Sequence, residues 1–320
     1  MAKAPPIIRI EGLRKTYRLG FAWTKIAQAL HGLDLTVHAG EVLGFLGPNG
    51  AGKTTTLKIL MGLMRPSAGK VEVFGHPAGE PAANRQIGFL PENPYFYGYL
   101  TGPEFMDLCG RLHGLDRSTR RARTESLLAR VGLEGQEGKA LRKYSKGMLQ
   151  RVGLAQALIG EPKLVVLDEP QTGLDPLGRK EVRDIIRELG QEGRTVVFSS
   201  HILGDVEMVC DRVALLIGGR LQALGPLSEL LQAKAVSTTI ILEGGTPPFT
   251  VPDELEPEVE SIATESQTAR VRIRGEGGVD GVIQAAVAGG WRVVRVTPHR
   301  ETLEDLFVRE AAAAGAEGGA

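Results

Sequence analysis

Apolar residues recur along this chain with two periods, and the switches between them mark its elements. Near the start the period is two. Ile8 and Ile10 alternate with polar neighbours, and Leu33, Leu35 and Val37 alternate again before Ala39-Gly40-Glu41. A β-rich opening is predicted over 7 to 45, with Tyr17 between its strands. Val42 to Leu46 is an unbroken apolar run, as in a strand buried on both faces. Leu57, Leu60, Met61 and Met64 then fall at i, i+3, i+4 and i+7, the apolar face of a helix. Val71 and Val73 predict a short strand, and Ile87-Gly88-Phe89-Leu90 another that ends at Pro91. Residues 103 to 143 read as helical, with Phe105, Leu108, Cys109 and Leu112 on one face and Leu127, Leu128 and Val131 on a second stripe. A further helix carries Met148, Val152, Ala155 and Ile159. Buried strands follow at 164 to 167, 195 to 198 and 213 to 217, with an amphipathic helix on Val182, Ile185, Ile186 and Leu189 between the first two.

Beyond about residue 230 the pattern thins into a second, smaller region, which divides the chain into 1–230 and 231–320. A strand is predicted at 240 to 242, and a loop from Thr246-Pro247-Pro248 through the acidic stretch to Glu260. Val271 and Ile273 alternate with Arg270, Arg272 and Arg274 in a one-sided strand. Val279, Val282, Ile283 and Ala286 have helical spacing, 291 to 296 reads as a strand, and Leu303, Leu306 and Phe307 mark a last helix before a frayed tail at 311 to 320. The region is a small α+β appendage.

Composition narrows the class. The hydrophobic share of 42% suffices for a core, and 38 basic residues balance 38 acidic ones, which argues against nucleic acid as the main partner. Cys109 and Cys210 are the two cysteines and lack metal-ligand spacing, so neither a disulfide framework nor a zinc site is expected. The first residues, Met1-Ala2-Lys3-Ala4-Pro5-Pro6, lack the apolar core of a signal peptide. No apolar run reaches the roughly 18 residues of a membrane span, so any spans would come from another chain.

The candidate chemistry centres on Gly47-Pro48-Asn49-Gly50-Ala51-Gly52-Lys53-Thr54, which fits the phosphate-binding pattern G-x-x-x-x-G-K-[ST]. A chain with 42 Gly invites chance matches, but a buried strand before the loop and a helix after it supply the required context. Glycines let the loop turn its N–H groups inward, and the helix N-terminus adds positive potential. Lys53 is placed to reach the β and γ phosphates, and Thr54 to hold Mg²⁺. Leu164-Val165-Val166-Leu167-Asp168-Glu169 is a Walker-B pattern, with Asp168 toward Mg²⁺ and Glu169 toward an attacking water. His201, just past a strand end, is placed to touch the γ-phosphate. Ser145 and Gly147 open a helix, where Ser145 acts as a simple N-cap or as part of a second phosphate-binding helix start. Tyr17 is either an ordinary half-buried strand residue or a platform for adenine, with Phe21 and Trp23 as alternatives. Tyr95, Phe96, Tyr97 and Tyr99 read either as packing or as a docking surface. Arg117, Arg120, Arg121 and Arg123 read as a solvated helix face, with anionic headgroups as the alternative.

In this order, from Tyr17 through the phosphate loop, Pro91-Glu92, a helical insert, Ser145-x-Gly147, Leu167-Asp168-Glu169 and Gly173-Leu174-Asp175 to His201, the set resembles the ATP-binding subunit of an ABC transporter over about residues 7 to 230. The resemblance implies an α/β fold. Its parts would be a P-loop ATPase core with an antiparallel β subdomain, a helical insert at about 93–160 and the small α+β C-terminal domain. It implies ATP and Mg²⁺ as cofactors, with ATP held by Tyr17, Asn49, Gly50, Gly52, Lys53, Thr54 and Thr55, and the metal by Thr54, Asp168 and Glu92. Glu169 would be the catalytic base and His201 the switch histidine. Ser145 and Gly147 would reach the γ-phosphate of a second, identical subunit in a head-to-tail dimer that Asp175 links. A separate transmembrane permease would be the other partner, at the cytoplasmic face of the membrane.

Two departures stand out. Glu92 occupies a position where most of the family has Gln, and Tyr-Ser-Lys-Gly-Met replaces Leu-Ser-Gly-Gly-Gln. Lys146, Met148, the Phe-Leu-Pro-Glu run and the C-terminal extension resemble the exporter-type subgroup, which includes drug, sodium and copper-maturation exporters. Two other functions compete with transport. A ribosome- or DNA-acting ATPase would be expected to carry a second cassette or a long coiled-coil insert, and a nucleotide sensor without turnover would not need Asp168, Glu169 and His201 together.

Overall fold

The structure, a computed structural model, describes residues 4–19, 25–231, 235–300, 302, 304–306, 308 and 309. Phe21, Trp23, Leu303, Phe307 and the stretch 311–320 lie outside the described residues. The chain forms two compact units, the first ending at Leu227 and the second running over Ser228–Arg309.

The first unit opens with β1 (Pro6–Leu19) and β2 (Lys25–His38), then β3 (Val42–Leu46), α1 (Lys53–Leu60), β4 (Ala68–Val73), β5 (His76–Pro77), α2 (Pro81–Asn84) and β6 (Ile87–Leu90). The helical insert is α3 (Gly102–Leu112), α4 (Arg117–Arg130) and α5 (Lys146–Leu158). Then come β7 (Leu164–Asp168), α6 (Pro176–Gln191), β8 (Thr195–Ser200), α7 (Leu203–Val209), β9 (Arg212–Ile217), β10 (Arg220–Gly225) and, at the boundary, α8 (Leu227–Leu230). An antiparallel sheet has the order β2-β1-β4-β5, and a second sheet, parallel except for β10, has the order β10-β9-β3-β8-β7-β6. The unbroken apolar runs become the central strands, because a strand covered on both faces has no polar side to offer. Every residue of β3, β7 and β8 is buried. Phe45, Leu57, Ile59, Val166, Val197 and Leu216 join one core, at about 1.5–3 kcal/mol for each large side chain buried.

Tyr17 lies inside β1, opposite Ala27 of β2, and not between the two strands. The helical stretch expected over 103 to 143 breaks at 113 to 116 and stops at Arg130. Thr101 starts α3 with a capping box: its N–H donates to Glu104 Oε2 at 2.8 Å, and this bond holds the Glu104 carboxyl below its ordinary range. Asp116 starts α4, and the Ser118 and Thr119 hydroxyls hold its carboxyl far below the usual range. On α3 the inner face carries Phe105, Met106 and Cys109, whereas Leu112 is 81% exposed, so the outermost of the four expected core positions faces water. Burial pushes the Cys109 thiol up to about 11. Helix α5 is buried nearly all round and lies close against β6: a Cβ on Gly88 would stand 1.9 Å from Ala157 O. This close approach ties the C-terminal end of α5, at Ala157, to the parallel sheet.

The second unit contains β11 (Ala235–Glu243), a 3₁₀ turn (Asp253–Glu258), β12 (Val259–Glu265), β13 (Thr268–Arg274), α9 (Val279–Ala288) and β14 (Arg292–Arg300). Its antiparallel sheet has the order β12-β13-β11-β14. Ile240, Leu242, Val271, Ile273, Val282 and Trp291 form its core. Strand β12 begins inside the stretch read as loop to Glu260 and runs on through residues given no element, because only Val259 and Ile262 are large apolar residues there and Ile262 stays 37% exposed.

Candidate functional site

The phosphate loop hangs between β3 and α1. Gly47 has φ 154°, and a Cβ there would lie 2.1 Å from Leu216 O, so the residue fits only as glycine. The next strand over is β8, and beyond it β7, in a register that sets Phe45, Ser199 and Asp168 level. The candidate groups of β3, β7 and β8 therefore meet at the carboxyl ends of parallel strands, where open α/β sheets bind ligands.

Asp168 is 1% exposed, and its Oδ1 accepts from Thr54 Oγ1 at 3.0 Å and from Ser199 Oγ at 2.7 Å. Ser199 Oγ in turn accepts the Glu169 N–H at 2.8 Å. Glu169 sits at φ 49°, in the left-handed region that a side chain tolerates poorly, and this bond fixes it there. Its Oε1 lies 3.2 Å from Lys53 Nζ and its Oε2 2.7 Å from His201 Nδ1. With a carboxylate as acceptor, the imidazole proton belongs on Nδ1. Lys53 also donates to Gly47 O at 2.6 Å. The Tyr17 hydroxyl is 3.2 Å from Thr55 Oγ1, and Lys15 Nζ stands 5.3 Å from the centre of its ring.

Tyr17, Asn49, Gly50, Gly52, Lys53, Thr54, Thr55, Glu92, Glu169 and His201 line one cleft of about 520 Å³, with Asp168 at its floor behind Thr54. Ser145, Gly147 and Asp175 do not join it. They line another cleft, of about 500 Å³, with Lys146, Met148, Arg151 and Leu174. There Ser145 caps α5, accepting from the Met148 N–H at 3.2 Å, and Asp175 caps α6, accepting from the Gly178 N–H at 2.9 Å.

Ser199 is the residue that the sequence reading left without a role. In the sequence it shows only as a hydroxyl pair, Ser199-Ser200, at the end of an apolar strand just before His201, and its burial appears only in the fold. A cation would find the hydroxyl of Thr54 and a carboxylate oxygen of Asp168 already 3.0 Å apart. Hard oxygen donors of this kind fit Mg²⁺, which completes its shell with water and phosphate oxygens. Among the described residues no group of three His, Cys, Asp or Glu offers a closed cage.

A phosphate loop at a strand-to-helix turn, with acidic residues ending a parallel strand two positions across, defines a P-loop nucleotide hydrolase. The family model for the ABC transporter matches residues 30–172. An ABC transporter ATP-binding protein of Nostoc sp. is 42% identical over 308 residues, which span 96% of this chain and 90% of that protein. A daunorubicin resistance ATP-binding protein of Streptomyces coeruleorubidus is 42% identical over 229 residues, spanning 71% of this chain and 70% of that one. The dimeric structure of the ATP-binding cassette MJ0796 in a post-hydrolysis state, bound to ADP and Pi, is 25% identical, with a TM-score of 0.64 over 69% of this chain and 98% of that one. The chain belongs to the ABC transporter ATP-binding proteins: it is an ATPase and the ATP-binding subunit of such a transporter.

If Ser199 holds Asp168 and Glu169 together, Ser199→Ala strands a buried N–H and removes a donor to a buried carboxylate. The expected loss is about 1–3 kcal/mol of stability, with hydrolysis falling more than ATP affinity. Chemical denaturation, nucleotide titration and steady-state turnover of the variant check this. Wild-type turnover would dismiss Ser199 as a support of the site.

Proposed function

We propose that this chain powers export through a separate membrane permease, closing head to tail with a second copy around two ATP–Mg²⁺. The observation that carries the reading is the division of phosphate-binding features between two clefts of one unit. One cleft has the loop, Lys53, Asp168, Glu169 and His201, while the other has only a capped helix start and the Gly173-Leu174-Asp175 turn. Neither holds a full set, and a second copy turned end for end supplies to each loop the Ser145 and Gly147 it lacks. The dimeric MJ0796 cassette supports such an arrangement.

Within one composite site the roles follow from the contacts. Loop N–H groups and the α1 N-terminus draw the phosphates in, and Lys53 adds a charge-assisted bond to them. Mg²⁺, when bound, supplies positive charge against the β and γ phosphate oxygens. Thr54 and Asp168 would hold it, with Glu92 close by on the cleft wall. Glu169 is the base: Ser199 fixes its backbone and His201 holds Oε2, so Oε1, paired with Lys53 here, is the oxygen left to orient water once Lys53 turns to the phosphates. Tyr17 offers adenine the ring face away from Lys15. Ser145 and Gly147 of the second copy close over the γ-phosphate, and Asp175 joins the two sites.

Export is supported by the resistance function in the name of the Streptomyces relative, and the permease by two features of this chain. No helix among the described residues is long and apolar enough to cross a membrane, so the spans would be another subunit's. Tyr95, Tyr97 and Tyr99 are 90%, 49% and 71% exposed, while Phe96 packs edge-on against Phe105 with ring centres 5.1 Å apart. Three tyrosines on a surface, anchored by one half-buried ring, suit a docking face better than a core. The protein would then sit peripherally on the cytoplasmic side of the membrane.

Glu169→Gln removes the charge that accepts a proton and keeps the side chain's shape. ATP binding should persist while turnover falls by about 10²–10⁴-fold, and the variant should dimerise when ATP–Mg²⁺ is added. Hydrolysis assays and light scattering read both, and near-normal hydrolysis would take the base role away from Glu169. For the docking face, Tyr97→Ala should weaken co-purification with the permease and leave ATP affinity intact. Undiminished co-purification would move the interface elsewhere.

A further inference from the structure

The second unit carries a surface that ATP hydrolysis does not use. Along β13 burial alternates at every residue: Ala269, Val271 and Ile273 enter the core, and Arg270, Arg272 and Arg274 face outward. Strand register extends this face. Arg270 lies level with Ile241 of β11 and through it with Arg295 of β14, while Arg274 lies level with Ser237 and through it with His299. Strand spacing and rise set these basic residues at the corners of a field of about 10 Å by 13 Å.

Some arginines elsewhere on the molecule are neutralised, and others, such as Arg117, Arg142 and Arg220, stand singly among the described residues. In the helical insert, Arg120 pairs with Asp107 at 2.6 Å, Arg121 with Glu125 at 3.0 Å and Arg123 with Glu161 at 2.6 Å, so that basic run is a solvated, ion-paired helix face. On the sheet, Arg272 pairs with Glu260 at 3.1 Å and Arg292 with Glu243 at 3.0 Å. The side chains of Arg270, Arg274 and Arg295 have no ion pair or hydrogen bond among the described residues. On this face Glu260 and Glu243 are taken up by Arg272 and Arg292, Glu265 lies at the far end of β12, and a further group of acids lies on the unit's other side. Leu255 of the 3₁₀ turn packs over Gly281 of α9, and the exposed Asp253, Glu254 and Glu256 surround it. The unit carries more acidic than basic residues, yet arginines outnumber acids on its open sheet face, and the acidic 3₁₀ turn lies by the helix.

We propose that the open sheet face is a membrane-surface site that seats the phosphates of anionic lipids through Arg270, Arg274 and Arg295. Guanidinium groups match phosphate oxygens with two parallel bonds, and between them stand Thr239 and Thr297, polar residues that tolerate a hydrated interface. The face has no Phe, Tyr or Trp on which a nucleic-acid base would stack, and its imidazole, His299, is held by Thr239 Oγ1 at 2.9 Å. It has no large apolar anchor beyond the half-buried Ile241, which disfavours a protein partner. The charge separation orients the unit, with the sheet drawn toward an anionic bilayer and the acidic turn away from it. Choosing a bilayer over other polyanions rests on the function proposed above.

The test is co-flotation of the full chain with vesicles of phosphatidylcholine alone or mixed equally with phosphatidylglycerol. Wild type should float with the anionic vesicles alone and be released as salt rises. At about fivefold per basic residue near an anionic surface, the triple Arg270→Gln/Arg274→Gln/Arg295→Gln variant should bind on the order of 100-fold more weakly. Arg117→Gln/Arg121→Gln, on the helical insert, should match wild type. Equal flotation of the triple variant, or no preference of wild type for anionic vesicles, would overturn the site. So would binding of a single-stranded RNA oligonucleotide through the same arginines with no vesicle binding. Thermal melts and ATP turnover of each preparation establish that the variants are folded. Vesicle binding retained by a protein that neither hydrolyses ATP nor dimerises would reject the proposed function and leave the lipid site standing.

Discussion

Everything at the nucleotide cleft depends on one carboxylate oxygen. Asp168 Oδ1 accepts from Thr54 on α1 and from Ser199 on β8, and Ser199 passes the connection to the Glu169 backbone. Three segments far apart in sequence are thereby locked at one point, inside a sheet whose central strands are wholly buried. A buried carboxylate is costly unless its lone pairs are met, so the two hydroxyls are a condition of folding as much as of function. The positive φ at Glu169 is tolerated because this tie over-determines it.

The second constraint is reach. Ser145 and Asp175 face a cleft that shares no residue with the cleft of Lys53 and Glu169. Both are helix caps, and both helices are held by packing: α5 against β6 at Gly88, and α6 through Val182, Ile186 and Leu189. Caps set in a separate cleft do not join the loop of their own chain, and on the function proposed above they would form a preformed wall for another. On the proposed function, coupling to a permease would need only that ATP decide whether two such walls and loops meet.

Much of this was legible in the sequence, and the limits have physical causes. The unbroken runs at β3, β7 and β8 announced the central strands, and the phosphate loop announced what they carry. Spacing could not rank the aromatics at 95 to 99, because exposure depends on whether α3 offers a pocket: it does for Phe96 and not for its tyrosine neighbours. The role of Ser199 was hidden because it arises from register between strands that are not adjacent in sequence. Strand β12 was missed because an edge strand with polar residues on both faces lacks a period. The separation of the Ser145 cleft from the Lys53 cleft is likewise a property of three dimensions.

The central claim is that each working site is built from two chains, and a mixing experiment addresses it most directly. Lys53→Ala spoils the loop half of the site, and Ser145→Arg spoils the capping half. Each variant alone has two defective composite sites and should hydrolyse almost no ATP. Mixed in equal amounts, they form hybrid dimers in which one site has an intact Lys53 from one chain and an intact Ser145 from the other. Hydrolysis should return in the mixture, to a level set by the share of hybrids. A mixture of folded variants no more active than its separate components would contradict a site shared between subunits.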